Sequence, residues 1–186
     1  MRLRQYQVIL TVGFFLSVAG CAGSRHTAEI SPGKTISVIE DGRVVDRGRL
    51  RQKGTIIITP FKAGANVEAN EDLDKIALMI LKGISETLQE GQGSLQVLFS
   101  PEKSRADLIM QGHVTSYRKG TRGWKLWRRP GQSVAVEGDI LDQKTGKVIL
   151  HFMHGKSTRR KNEDPRVLGL EIGKDIARFI LSAANP

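Results

Sequence analysis

Two short strand-forming segments, the first of them β-branched throughout, flank one long amphipathic segment, and that order restricts the fold more than any other feature of the chain. Thr55-Ile56-Ile57-Ile58-Thr59, closed by Pro60, is a continuous strand-forming run of the kind that lies inside a sheet. After the polar stretch from Asn66 to Asp72, the residues Leu73, Ile76, Ala77, Ile80, Leu81, Ile84 and Leu88 recur at helical spacing. They form one buried stripe that ends near Gly91 and Gly93. Leu95 to Phe99 is a second short strand. Strand, helix and strand in that order imply a parallel pair with a right-handed crossover, because the helix carries the chain back before the second strand begins.

Three alternating segments follow. In Leu108 to Tyr117, the residues Leu108, Met110 and Val114 point one way while Gln111, His113 and Thr115 point the other. In Ser133 to Asp142 the inward set is Val134, Val136 and Ile140, with Glu137 and Asp139 outward. In Lys147 to Phe152 it is Val148, Leu150 and Phe152, with His151 outward. One face of this sheet is therefore wet. Asp142 to Lys147 is a tight turn in which Gly146 supplies a positive φ. A closing helix starts at Asp164-Pro165, with Asp as cap and Pro in the first turn, and carries Val167, Leu168, Ile172, Ile176, Phe179 and Ile180. The pattern β-α-β-β-β-α predicts an α+β domain over residues 54–186: a two-layer mixed sheet with two helices packed on one face.

Ahead of it, 22–32 is small and polar and reads as a tether. Ile36, Val38, Val44 and Val45 flank Asp41-Gly42, a tight-hairpin dipeptide, so 21–53 is expected to be a tether carrying a short β-ribbon.

The amino terminus has the build of an export signal, with Arg2 and Arg4 before an apolar stretch from Val8 to Val18 and the small pair Ala19-Gly20. That stretch is about half of the ~20 residues a membrane-crossing helix needs. Val18-Ala19-Gly20-Cys21 resembles the lipobox of bacterial lipoproteins, in which the bond before the Cys is cut and the thiol takes the lipid. Residues 1–20 are then the signal peptide and Cys21 the anchor, whose several acyl chains hold the protein at the membrane through ~0.8 kcal/mol per buried methylene. Ala22 is not the Asp that retains many such proteins at the inner membrane, so the resemblance implies the periplasmic face of the outer membrane.

The chain has 29 Lys and Arg against 19 Asp and Glu, a formal charge of +10, which points to an anionic neighbour. Aromatic residues are only 5% of the chain, lean for a stacking nucleic-acid binder, and export removes such a substrate. The single Cys excludes a disulfide framework and any thiolate cluster. No Ser sits in Gly-x-Ser-x-Gly, so covalent hydrolysis has no candidate nucleophile. Gly155-Lys156-Ser157 lacks the upstream glycine of a phosphate loop, since Leu150 stands there.

Arg118 to Gly131 holds six positive charges, no acid and both Trp residues, in a long hairpin connection. Indole rings interleaved with cations suit a headgroup boundary or an acidic partner, so Arg122, Trp124, Lys125, Trp127, Arg128 and Arg129 are the candidate contact residues. Arg159-Arg160-Lys161 adds to this basic character. The outward His113, Glu137, Asp139 and His151 read as cross-strand pairs on a wet face rather than as metal ligands.

Three segments carry a further likeness: Ile56 to Phe61, Ala106 to Val114 and the Asp142 to Val148 hairpin. They resemble small bacterial envelope lipoproteins of unknown function, whose domain is similar to the amino-terminal domain of TolB and the core of the curli lipoprotein CsgG. No pair of long alternating segments of the barrel-forming kind is present, which sets a CsgG-type channel aside. The expectation is a non-catalytic, cofactor-free outer-membrane lipoprotein. It would be held to the membrane through Cys21 and would bind an envelope protein or anionic lipid, with no nucleic-acid partner. The alternative is an accessory subunit of an export or assembly machine, docking through the wet sheet face.

Overall fold

A computed structural model describes residues 39–91, 93–98, 106–119, 131–158 and 164–185. The chain divides into two units, 1–34 and 35–186, and every described residue belongs to the second. In chain order this unit holds β1 (Asp41–Val44), α1 (Arg47–Arg51), β2 (Gly54–Ile58), β3 (Lys62–Ala63), α2 (Glu71–Glu90), β4 (Leu95–Val97), β5 (Leu108–Arg118), β6 (Gln132–Asp142), β7 (Val148–Thr158) and α3 (Pro165–Ala184). Its seven strands form one mixed sheet in the order β1-β7-β6-β5-β2-β4, with β3 pairing β5 off that path.

The β-α-β reading holds: β2 and β4 are parallel neighbours joined through α2, and β2 is also parallel to β5. Ile56, Ile57 and Ile58 are all buried, as expected of a strand inside the sheet. Asn70 caps α2 by accepting a hydrogen bond from Leu73 N at 3.0 Å, and Asp164 caps α3 by accepting one from Arg166 N at 2.9 Å.

Both long helices lie on one side of the sheet, sealing a core that includes Leu73, Ile76, Ile80 and Ile84 of α2 and Ile172, Ile176 and Ile180 of α3. Their approach depends on glycine. A Cβ on Gly83 would collide with the Leu170 carbonyl and one on Gly173 with the Ile80 carbonyl, so the two backbones touch where side chains would hold them apart. On the inward face of the paired strands, Gly112 and Gly138 stand opposite each other. Their missing side chains leave room for Phe61 and Phe152, whose ring centres are 6.2 Å apart.

Two expectations change. Asp41-Gly42 is not a hairpin turn but lies inside β1, which pairs antiparallel with β7, Asp41 opposite Met153 and Val44 opposite Leu150. Gly42 suits that strand because the Phe179 ring occupies the space beside it. β1 and α1 therefore join the sheet and core ahead of Gly54, and Leu50 is fully buried. Ile36 and Val38, the other half of the expected ribbon, lie outside the described residues. The second change is Val148, which turns outward with 38% exposure. Ile140 pairs with Leu150 but Leu141 with Val148, so Ile149 is an extra residue that shifts the alternation by one.

Candidate functional site

Among the described residues no helix layer covers the second face of the sheet, and its side chains stand in cross-strand rows. Ile57, Ile109, Leu141 and Val148 make an apolar row near the Asp142–Lys147 turn. Gln111, Asp139, His151 and Arg43 make the next, and Lys62, His113, Glu137, Met153 and Asp41 the one beyond. The predicted wet face is thus present, with Gln111, His113 and Glu137 exposed.

Asp139 Oδ1 lies 2.8 Å from His151 Nδ1, and Glu137 Oε1 lies 3.9 Å from His151 Nε2. The imidazole therefore sits between two carboxylates, half-buried, at the edge of an open groove of about 310 Å³. His113, Gln111 and Thr115 line that groove beside the Gly64 backbone. No hydroxyl or thiol bonds to either histidine, and among the described residues no group of three or more His, Cys, Asp or Glu is placed to hold a metal ion.

His154 lies on the helix side of β7. It is buried, with Nε2 3.2 Å from Asp175 Oδ2 on α3, and its Nδ1 has no partner. Lys156 Nζ and Arg178 reach the same carboxylate at 2.7 and 2.9 Å. Burial pushes the Asp175 carboxyl up, but Lys156 and His154 outweigh it and hold it below the usual range.

At the turn end of the sheet a second polar cluster joins α1 to the strands. Arg49 Nε donates to Asp142 Oδ2 at 2.7 Å, while Asp142 Oδ1 accepts from Lys144 N, Thr145 N and Thr145 Oγ1. Arg49 first and Thr145 second hold the Asp142 carboxyl far below its ordinary value. Asp107 accepts from the Thr55 amide and hydroxyl, both at 2.9 Å, and is lowered chiefly by those bonds. Around this cluster stand five exposed cations that sequence reading passed over: Arg47, Arg51, Lys53, Lys144 and Lys147. The available signal was the run Arg47-Gly48-Arg49-Leu50-Arg51-Gln52-Lys53.

The contact candidates Arg122, Trp124, Lys125, Trp127, Arg128 and Arg129, the anchor Cys21 and the Arg159–Lys161 run all lie outside the described residues. The roots of their loops are described. Lys119, where the basic connection leaves β5, donates to Asp72 Oδ2 of α2 at 2.6 Å. That bond lowers the Asp72 carboxyl and raises the Lys119 ammonium. Arg118 opposite Ser133 and Gln132 opposite Thr158 bring the roots of the two basic connections together, at the end of the sheet away from the Asp142 turn. Among the described residues no helix is long and apolar enough to cross a membrane.

No family model and no curated protein matches the chain. Solved structures do share its outline. The PelC dodecamer from Paraburkholderia phytofirmans matches at TM-score 0.48 and 13% identity, over 76% of this chain and 93% of that one. The protein XCC0632 from Xanthomonas campestris matches at TM-score 0.49 and 9% identity, over 72% and 86%. Lipoprotein GNA1162 from Neisseria meningitidis matches at TM-score 0.43 and 12% identity, over 66% and 94%. Each is a likeness of backbone outline.

Proposed function

We propose that this chain is a non-catalytic lipoprotein of the outer membrane, anchored through Cys21 on the periplasmic side, whose domain binds another envelope component. The observation that favours binding over chemistry is the outer sheet face. There His151 is engaged by Glu137 and Asp139, two of the residues that line an open groove, and among the described residues no hydroxyl or thiol bonds to His113 or His151.

Topology supports a membrane role for the tryptophan loop. Glu40, where the described chain begins its approach to β1, borders Gly155, Lys156 and Ser157, on the half of the sheet from which the basic connections leave. Both basic connections leave this end of the sheet, and we read it as the end that meets the anchoring membrane. Trp124 and Trp127 would then enter the headgroup region while Arg122, Lys125, Arg128 and Arg129 meet phosphate.

Metabolic labelling with a fatty-acid analogue tests the anchor. The parent takes label and Cys21→Ser takes none; label on the serine variant, or none on the parent, refutes it. Trp124→Ala with Trp127→Ala tests the loop by weakening binding to phosphatidylglycerol vesicles while leaving Tm within about 5 °C. A larger loss of Tm would mean that the rings cover the core instead.

A further inference from the structure

We infer that the turn end of the domain is a docking surface for an acidic segment of a partner protein. This rests on the reading that the anchor and the tryptophan loop face the bilayer.

Arg47, Arg51, Lys53, Lys144 and Lys147 are exposed there, and none makes an ion pair. The acids nearby are already committed. Asp142 is taken by Arg49 and its own turn, Asp107 by Thr55, and Asp46 by the Arg49 amide at 2.9 Å. Counting Arg49, six cations stand around three carboxylates that are each engaged in internal bonds, so among the described residues this cluster carries net positive charge. Such a surface attracts a polyanion strongly within the ~8 Å reach of physiological screening.

Two observations decide which polyanion. Val45 and Val148 are 55% and 38% exposed, and the Val45 amide donates to the carbonyl of Ile149, the residue next to Val148, at 2.8 Å. Exposed valines ringed by cations fit an acidic peptide with apolar residues, and add nothing for a phosphate polymer or an acidic glycan. Position argues against the anchoring bilayer. The eleven-residue strands β5, β6 and β7 put the patch about 35 Å from the roots of the tryptophan loop, several screening lengths from the headgroups that loop would meet. A tryptophan loop that meets the membrane leaves the opposite end of the sheet open to the aqueous side, where a protein partner can reach it.

The test uses the lipidated full chain on vesicles of phosphatidylethanolamine and phosphatidylglycerol. The probe is a fluorescent peptide of alternating Glu and Leu, with polyphosphate as competitor. The peptide should bind, and the triple variant Arg51→Gln, Lys53→Gln, Lys147→Gln should weaken it about tenfold or more with a shallower salt dependence, since each removed cation removes a screened attraction. Val148→Ser should weaken the peptide but not polyphosphate. The melting curve of the triple variant should stay close to the parent's, because its three replaced side chains are exposed and make no ion pair among the described residues. Val148→Ser should lower Tm only slightly because Val148 is already 38% exposed. No binding, or equal binding by the triple variant, overturns the inference. Two other results do so as well: polyphosphate bound as tightly with no effect of Val148→Ser, or peptide binding only once the protein leaves the vesicles. The Trp124→Ala, Trp127→Ala protein serves as the separate control. Made in the unlipidated Cys21→Ser chain, it isolates the loop: if it binds the vesicles as Cys21→Ser alone does, the loop reading fails while the patch result stands on its own arms.

Discussion

Arg49 Nε donates to Asp142 Oδ2 at 2.7 Å, joining residues 93 positions apart and fastening α1 to the turn between β6 and β7. The same guanidinium reaches the Asp107 carbonyl at 3.5 Å, so a single side chain of α1 bridges the start of β5 and the end of β6. Replacing Arg49 by Met should lower Tm at neutral pH and remove much of the fall in Tm on acidification. The sign follows from Asp142: its carboxyl lies far below the ordinary value in the folded state. Its contribution is therefore complete above the unfolded range near pH 4 and fades as pH falls below it. Thermal melts from pH 7 to pH 3 should show a steep acid limb in the parent and a flatter one in Arg49→Met and Asp142→Asn. Parallel limbs in all three would place the acid sensitivity elsewhere.

The helix crossing makes a sharper test of packing. Gly173→Ala raises helix propensity by about 1 kcal/mol. The new methyl would nevertheless strike the Ile80 carbonyl and force α2 and α3 apart. We expect a net loss of about 1–3 kcal/mol, read as urea midpoint, and the same sign for Gly83→Ala. A neutral or stabilising result would mean that the helices slide without harm to the core.

Gly146 has φ +69° and open space around its Cα, so sterics with neighbours do not enter. Gly146→Ala should cost about 1 kcal/mol from the left-handed backbone alone, and Gly146→Asn less, since Asn tolerates that region. The order Gly, Asn, Ala in denaturant midpoint is the observable.

Asp175 is the partner of three cationic or imidazole groups on the buried side of β7. Asp175→Ala should destabilise by about 2–3 kcal/mol, because His154 and Lys156 lose their acceptor where water is scarce. Its stabilising effect should also weaken on acidification, since the folded carboxyl lies below its ordinary value and protonates only at lower pH. Asp175→Asn, which keeps an acceptor but not the charge, should fall between parent and Ala in urea unfolding.

Much of this architecture is legible in the residues themselves. The stripe from Leu73 to Leu88, the triple isoleucine of β2, the alternation of β5 and β6, the Gly146 turn and the Asp164-Pro165 start of α3 are local patterns, and period and cap chemistry are properties of neighbours along the chain. The polar outer face follows from the same alternation, down to His151 and His154 falling on opposite sides of β7. What the residues could not disclose depends on partners far along the chain. Asp41-Gly42 has the chemistry of a turn, yet β7 offers an edge and Phe179 covers the glycine, so tertiary pairing made it a strand. Ile149 breaks the alternation only because of how β7 is registered against β6. The five free cations at the turn end come from two separate segments, and only the meeting of α1 with the β6–β7 turn, through Arg49 and Asp142, makes them one surface. Local patterns decide element type because their energies are local, whereas register, edges and shared surfaces are decided by contacts between elements, from the adjoining β6 and β7 to Arg49 and Asp142, 93 positions apart.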